Sequence, residues 1–172
     1  MNFLLDGELT ERLLFRTVVT SDYEAWLPFH KEPLSRKYWQ RLPKDPETTC
    51  LMQFDAIFKR YEQGLGGMNA LNCKKTGSFI SLCNPLVQEV GNMQELKIGY
   101  SILPAYWGNG DATKATQKSR NITFESEWAS QLISIVHVHN VPSKMMALKL
   151  GINVREAITF NENPIDIYQI KN

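Results

Sequence analysis

Two glycines within residues 106–112, Tyr-Trp-Gly-Asn-Gly-Asp-Ala, carry the clearest chemical signal in the chain. The segment follows the apolar residues 97–103 and precedes a polar segment of helical length, which predicts a strand, a glycine turn and a helix start. The first N–H groups of a helix lack intrahelical partners and carry about half a positive charge, so they suit a phosphate group. Gly108 and Gly110 have no Cβ to keep an anion from the backbone. We interpret the turn as a pyrophosphate cradle, although a structural strand–turn–helix corner uses the same glycines.

Histidines and cysteines are the other residues that could do chemistry. His137 and His139 lie on one face of a predicted strand, which suits a base or a metal pair, but two ligands do not make a zinc site. We interpret both as core or interface histidines and expect no metal. Cys50, Cys73 and Cys83 are odd in number and lack C-x-x-C spacing, which argues against disulfides and zinc. They indicate reduced thiols in a cytoplasmic protein.

Composition limits the class of protein. With 172 residues, 43% of them hydrophobic, the sequence predicts one compact domain over residues 1–172. Lys+Arg 19 against Asp+Glu 18 leaves a net charge of +1, so any anion site is local and we expect no nucleic-acid partner. The first residues have neither a basic flank nor a long apolar run, and no window approaches 18 uninterrupted apolar residues. The sequence therefore predicts neither a signal peptide nor a membrane span.

Alternating strands and helices must position these residues. The predicted strands are residues 13–19, 68–74, 78–83, 95–103, 131–138, 152–159 and 165–170. The predicted helices lie around Tyr23 and Trp26, after Pro46, from about Ala112, and from Pro142 to Gly151, with a short amphipathic segment around Tyr38 and Trp39. In the longest helix, Phe54, Ile57, Phe58 and Tyr61 form one apolar stripe. The predicted fold class is α+β.

This order of elements resembles the GNAT N-acetyltransferase superfamily over nearly the whole chain. Residues 9–16 are similar to the opening of its Rim-type branch, whose best-known members acetylate ribosomal-protein N-termini. Residues 98–100 and 104–113 resemble the branch's I-G-Y and P-x-Y-W-G-x-G-x-A-T segments, and residues 140–143 and 149–151 its N-x-x-S and K-x-G. The resemblance implies one mixed sheet of about seven strands flanked by about four helices. It also implies a parallel strand pair that splays apart at the cofactor site.

The resemblance assigns acetyl-coenzyme A (acetyl-CoA) to particular residues. The cofactor-binding set is Ile102, Leu103, Trp107, Gly108, Asn109, Gly110, Asp111, Ala112, Thr113, Asn140 and Ser143. By this resemblance, the backbone from Gly108 to Thr113 binds the pyrophosphate, and the strand edge at residues 102–103 pairs with the pantetheine arm. Asn140 bonds the pantetheine or its loop, and Ser143 protonates the departing thiolate. Lys114, Lys118 and Arg120 follow the turn, either near the remaining phosphate charge or on a solvated helix face.

The attacking amine needs a base or a water path, because an ammonium has no lone pair. Lys97 stands where many Rim-type enzymes have glutamate, and Glu95 faces the same side two residues earlier. We hypothesise that Glu95 is the base through water; the alternative is a solvated strand end. Four aromatic residues lie where the first helices of the family shape the acceptor pocket: Trp26, Phe29, Tyr38 and Trp39. The alternative is that they only pack in the core.

The sequence is compatible with two functions. The first is an enzyme that acetylates a primary amine, such as a protein N-terminus, a small amine or an antibiotic, by direct attack in a ternary complex. The second is a regulatory module that binds the coenzyme without turnover, suggested by Lys97 and Asp111. Asp111 places a carboxylate beside the expected pyrophosphate, where like charges repel unless the side chain turns outward as a cap. The sequence leaves both monomer and homodimer open.

Overall fold

A single mixed sheet organises the chain in the computed structural model, which describes residues 3–39, 41–160 and 162–172. The strands are β1 (Leu13–Thr17), β2 (Asn69–Cys73), β3 (Phe79–Val90), β4 (Met93–Ile102), β5 (Gln131–His137), β6 (Asn153–Phe160) and β7 (Asn163–Lys171). The α-helices are α1 (Tyr23–Lys31), α2 (Pro46–Gln63), α3 (Asp111–Glu125) and α4 (Val141–Lys149). The sheet order is β1-β2-β3-β4-β5-β7-β6. The predicted α+β fold is confirmed.

The helices pack on the sheet through apolar faces. In α2, the predicted stripe places Phe54 and Ile57 in a core cluster with Trp26 of α1. That helix begins at Pro46 after an Asp45 cap and ends at Gly64, whose left-handed conformation stops it. Helix α3 packs through small residues on a separate cluster, where Ala115 is fully buried. Small side chains let α3 lie close to the strands that carry the site.

Two segments of the chain differ from what the sequence pattern indicates. The strand predicted at residues 78–83 continues to Val90 through Pro85, because antiparallel pairing with β4 holds it to its end. The segment around Tyr38 and Trp39 is not helical; a short 3₁₀ helix, Pro33–Arg36, precedes it. Tyr38 and Trp39 instead contact residues from other parts of the chain, as described below.

Strands β4 and β5 are the parallel pair, and they separate early. Their register contains one pair of partners, Lys97 and Ile133, whereas β5 pairs with β7 over its whole length. Beyond Lys97 the two strands enclose a gap between their carboxyl ends, and α3 and α4 begin just after it. None of the helices in the described ranges is long and apolar enough to cross a membrane.

Candidate functional site

A cavity of about 480 Å³ lies where β4 and β5 separate. Its floor is formed by residues 97–101 of β4 and residues 134–137 of β5. Asn140 and Ser143 line it at the start of α4, and Tyr38, Trp39 and Phe160 line it from the other side. The cavity therefore joins the strand gap to the aromatic residues that the resemblance placed at an acceptor pocket.

The glycine turn has the geometry of an anion cradle. Gly108 and Gly110 have φ angles of +81° and +77°, and a Cβ at either position would meet no heavy atom within 4 Å. The first helical bond of α3 runs from the Lys114 N–H to the Gly110 carbonyl at 3.2 Å, so the N–H groups of residues 111–113 have no helical partners. Asn109 is exposed and its amide donates to the Tyr106 carbonyl, which fixes the turn. The space before these N–H groups is open to a ligand.

Asp111 points inward rather than outward as a cap. It is 3% exposed, and its Oδ2 lies 3.6 Å from the Arg12 guanidinium without receiving a hydrogen bond from the described residues. As the first residue of α3, it is stabilised by the positive end of the helix dipole. The carboxylate is thus held beneath the cradle, and Arg12 offsets part of its charge.

The two residues predicted to contact pantetheine, Ile102 and Leu103, direct their backbone groups to opposite sides at the end of β4. Backbone groups of a strand alternate between its neighbours. The Leu103 N–H donates to Ile80 of β3 at 3.0 Å, so Leu103 faces away from the gap and Ile102 faces into it. The Trp107 indole donates to the Ile102 carbonyl at 2.9 Å. The hydrogen bond to Ile80 argues against a backbone contact between Leu103 and pantetheine, and the indole occupies one lone pair of the Ile102 carbonyl.

Ser143 stands on the cavity wall with two fixed neighbours. The Tyr100 hydroxyl donates to Ser143 Oγ at 2.7 Å, and Asn140 Oδ1 accepts the Ser143 N–H at 3.3 Å as the cap of α4. Burial raises the pKa of Tyr100 to about 12, so its hydroxyl keeps its proton. Because Tyr100 supplies one proton to Ser143, the serine's own proton is free to be donated elsewhere. In the sequence Tyr100 is part of the segment 98–100, and nothing local in that segment indicates a contact with Ser143.

Glu95 is placed away from the cavity, contrary to the base hypothesis. Its buried carboxylate accepts two hydrogen bonds from Arg155 Nη1, at 2.7 and 2.9 Å, and one from Gln131 at 3.1 Å. Glu95 is not among the residues that line the cavity. Its oxygens are taken by the guanidinium and the amide, and it does not reach the cavity, so this placement argues against the proposed role. The alternative of a solvated strand end is also wrong, because the side chain is buried.

Lys97 occupies the cavity instead. Burial, with a smaller contribution from the Arg60 charge, lowers the pKa of Lys97 to about 8. Of the three basic residues after the turn, Lys118 pairs with Glu8 at 2.7 Å and Arg120 donates to the Leu150 carbonyl at 2.9 Å. Lys114 is exposed, which leaves it available to a phosphate.

The histidines are not arranged for metal binding. His137 lines the cavity and stacks on Tyr38 with ring centroids 4.8 Å apart, while the Tyr38 hydroxyl donates to the His139 carbonyl at 2.8 Å. The His139 N–H donates to His137 Nδ1 at 3.2 Å, which places the proton of a neutral His137 on Nε2. Within the described part of the chain, no group of three or more His, Cys, Asp or Glu could hold a metal ion.

The predicted aromatic group has two parts. Trp26 and Phe29 are buried and stacked with centroids 4.7 Å apart, so they are core residues. Trp39 packs against Phe29 at 5.5 Å and, with Tyr38, reaches the cavity. Gln53 of α2 also lines the cavity, although the helical stripe in the sequence gave no reason to select it.

Comparison with known proteins agrees with this geometry. Residues 12–153 match the family model described as Acetyltransferase (GNAT) domain. The Bacillus subtilis (strain 168) protein named uncharacterized N-acetyltransferase YoaA is 25% identical over 170 residues, 94% of each chain. The uncharacterized protein YkkB of the same strain is 27% identical over 114 residues, 66% of each chain.

Solved structures share the fold. An acetyltransferase from Agrobacterium tumefaciens str. C58 has a TM-score of 0.82 at 18% identity, covering 100% of this chain and 98% of that one. RimL, a ribosomal L7/L12 alpha-N-protein acetyltransferase in complex with coenzyme A, has a TM-score of 0.75 at 13% identity, covering 96% and 97%. At these identities the likeness establishes the fold.

Proposed function

Because the chain belongs to the acetyltransferase (GNAT) domain family and is an acetyl-CoA-dependent acyltransferase, we propose that its acceptor is a primary amine, attacking directly in a ternary complex. The acceptor is a small-molecule amine or a peptide N-terminus. The observation that carries the proposal is the combination of three features that lie between the carboxyl ends of β4 and β5 or follow them in the chain. These are the open cradle at Gly108 and Gly110, the gap beyond Lys97, and the Ser143 hydroxyl.

Ser143 is the proposed acid. The neutral amine attacks the thioester carbonyl, a C–N bond forms, and the C–S bond breaks. The Ser143 hydroxyl donates its proton to the departing thiolate, and the proton lost by the amine returns to the serine through water. Tyr100 holds Ser143 Oγ during this exchange, since its own hydroxyl stays protonated.

Water is the proposed path for the amine's proton. Glu95 is bound to Arg155, and the Nδ1 lone pair of His137 accepts a backbone N–H. An α-amine has a pKa of about 8, so part of it is neutral without a strong base. The positive charge of Lys97 disfavours an ammonium in the cavity and so favours the neutral form. A dedicated carboxylate base is therefore not required.

The direct test measures thiol release from acetyl-CoA with a panel of amines, together with the mass increase of each acceptor. Turnover that requires the amine supports the proposal. Thiol release that is equal with and without any amine would show hydrolysis and refute it. Ser143→Ala in the same assay separates enzymatic transfer from spontaneous acetylation.

A coenzyme-binding module without turnover is the second candidate. The buried Asp111 carboxylate beneath the cradle favours it, because a negative charge there opposes pyrophosphate binding. Calorimetric binding of coenzyme A without thiol release for any amine would select this candidate.

The cytoplasm is the proposed location. The three cysteines are free thiols, and Cys50 and Cys83 are buried in the core. Burial raises the pKa of both thiols to about 11, so they are inert and suit a reducing compartment.

A further inference from the structure

The cavity wall carries a cation and no carboxylate. Lys97 is the only Lys or Arg, and there is no Asp or Glu, among the described residues that line it. The Lys97 ammonium has neither a hydrogen bond nor an ion pair with any residue in the described ranges. A half-buried charge without a counter-ion is unfavourable, and such groups concentrate at functional sites.

The neighbouring charges increase this imbalance. Glu95 shares the face of β4 with Lys97, but Arg155 neutralises it. Arg60 of α2 lies near Lys97, and its guanidinium is held by the Val87 carbonyl at 2.7 and 2.9 Å rather than by an acid. The cavity is therefore positive, which opposes a cationic acceptor and attracts an anionic group.

Gln53 adds a fixed donor to the same wall. An indole N–H can only donate, and Trp26 Nε1 lies 2.7 Å from Gln53 Oε1, so the amide oxygen faces the core. Burial lowers the pKa of His30, and the neutral ring donates from Nε2 to the same oxygen at 2.7 Å. With its oxygen held by two donors, Gln53 has its NH₂ group left for another partner, and the residue lines the cavity.

We propose that the acceptor amine carries a carboxylate, which the Lys97 ammonium binds and the Gln53 amide can also reach. This inference rests on the proposed acetyl transfer and specifies its substrate class. A carboxylate supplies the counter-ion that Lys97 lacks, and it accepts hydrogen bonds from both groups. The free amine of such an acceptor is then left for the thioester.

The test compares pairs of acceptors that differ only in a carboxylate and its amide. One pair is glycine and glycinamide, and the other is an Asp-Ala and an Asn-Ala peptide with amidated C-termini. Rates are expressed per neutral amine. We expect about a tenfold higher kcat/KM for the carboxylate member of at least one pair, the size of a charged hydrogen bond. The pair that shows the preference distinguishes a free amino acid from an acidic peptide.

Variants of Lys97 and of a control lysine show whether the preference for carboxylates depends on Lys97. Lys97→Met should reduce the preference to within about twofold, and Lys97→Glu should reverse it toward the amides. Lys59→Met, on the exposed side of α2, should keep the full preference. Coenzyme A affinity and melting temperature show that each variant is folded.

The outcomes separate this inference from the proposed function. Equal turnover of carboxylates and amides, or a preference that survives Lys97→Met, would overturn the carboxylate assignment and leave acetyl transfer intact. Absence of turnover with every amine, including neutral and cationic ones, would overturn both.

Discussion

At the scale of single residues, Ser143 is the group whose contacts most directly suggest chemistry. Ser143→Ala removes the proposed acid, so we expect kcat to fall by about 100-fold, with the KM for acetyl-CoA changed little. Tyr100→Phe removes one neutral hydrogen bond to Ser143 Oγ, so we expect a smaller fall of about fivefold. Steady-state kinetics with saturating acceptor measures both. An unchanged kcat in Ser143→Ala would rule out the acid role.

Glu95 should matter for stability rather than for catalysis. Glu95→Gln leaves the Arg155 guanidinium without its buried carboxylate, so we expect the free energy of unfolding to fall by about 1–3 kcal/mol. Glu156→Gln is the matched control, because Glu156 contacts the same Arg155 from an exposed position and should contribute under about 1 kcal/mol. Urea unfolding gives both values. A large loss of kcat with an altered pH profile in folded Glu95→Gln would restore the base hypothesis.

Lys97 should destabilise the fold at neutral pH. Its pKa is about 8 in the folded protein against 10.5 ordinarily, so the unfolded chain binds more protons between these values and stability rises with pH there. Lys97→Met removes this penalty, and we expect it to stabilise the protein by about 3 kcal/mol at pH 7. The gain should be complete below pH 8 and vanish near pH 10.5. Urea unfolding of both proteins at several pH values tests this; a gain that is constant with pH would contradict it.

The sequence allowed part of this to be predicted. Residues 95 and 97 share a strand face because the strand period is two, and that prediction needed only local information. The partner that neutralises Glu95 is 60 residues away in β6. Its position depends on the pairing of β5, β6 and β7, so no local pattern could distinguish a catalytic carboxylate from a structural one.

At the scale of elements, the start of α3 shows the same limit. The glycine turn was predictable because positive φ angles at Gly108 and Gly110 are a local property of glycine. The direction of the Asp111 side chain was not predictable, because it depends on Arg12, which is far from Asp111 in the sequence. Likewise, β3 continues through Pro85 because β4 pairs with it, although a proline argues against a strand.

Asp111→Asn should strengthen coenzyme binding. The substitution removes a negative charge beneath the cradle, so we expect the Kd for coenzyme A to fall about fivefold at low salt, and by less as salt screens the charge. Asp55→Asn, on the exposed side of α2, controls for the change in net charge. Calorimetric titration measures both. An Asp111→Asn Kd equal to or higher than that of the parent protein would show that the carboxylate does not oppose the ligand.

At the scale of the whole molecule, the candidate site depends on the gap between β4 and β5, because both strands contribute residues to the cavity. The sequence order identified the two strands, but their separation after one pair of partners is a property of the assembled sheet, in which β4 pairs along its length with β3 and β5 with β7. Backbone groups along this gap suit a ligand with amides of its own. A bound coenzyme that spans the gap and the cradle therefore links the two halves of the sheet.

Coenzyme A should raise the melting temperature through this link. At 100 times its Kd, a ligand that binds only the folded state adds about 2.7 kcal/mol, which corresponds to a rise of roughly 5–10 °C in a domain of this size. Gly110→Ala strains a residue at φ +77° and projects a Cβ into the cradle, so the rise at the same concentration should be much smaller. Gly77→Ala has a similar φ, +72°, and equally open space, but lies in the β2–β3 turn. It should lower the melting temperature of the free protein yet keep the full rise, because its strain lies outside the cradle. Equal rises in the two variants would show that coenzyme A does not bind at the start of α3.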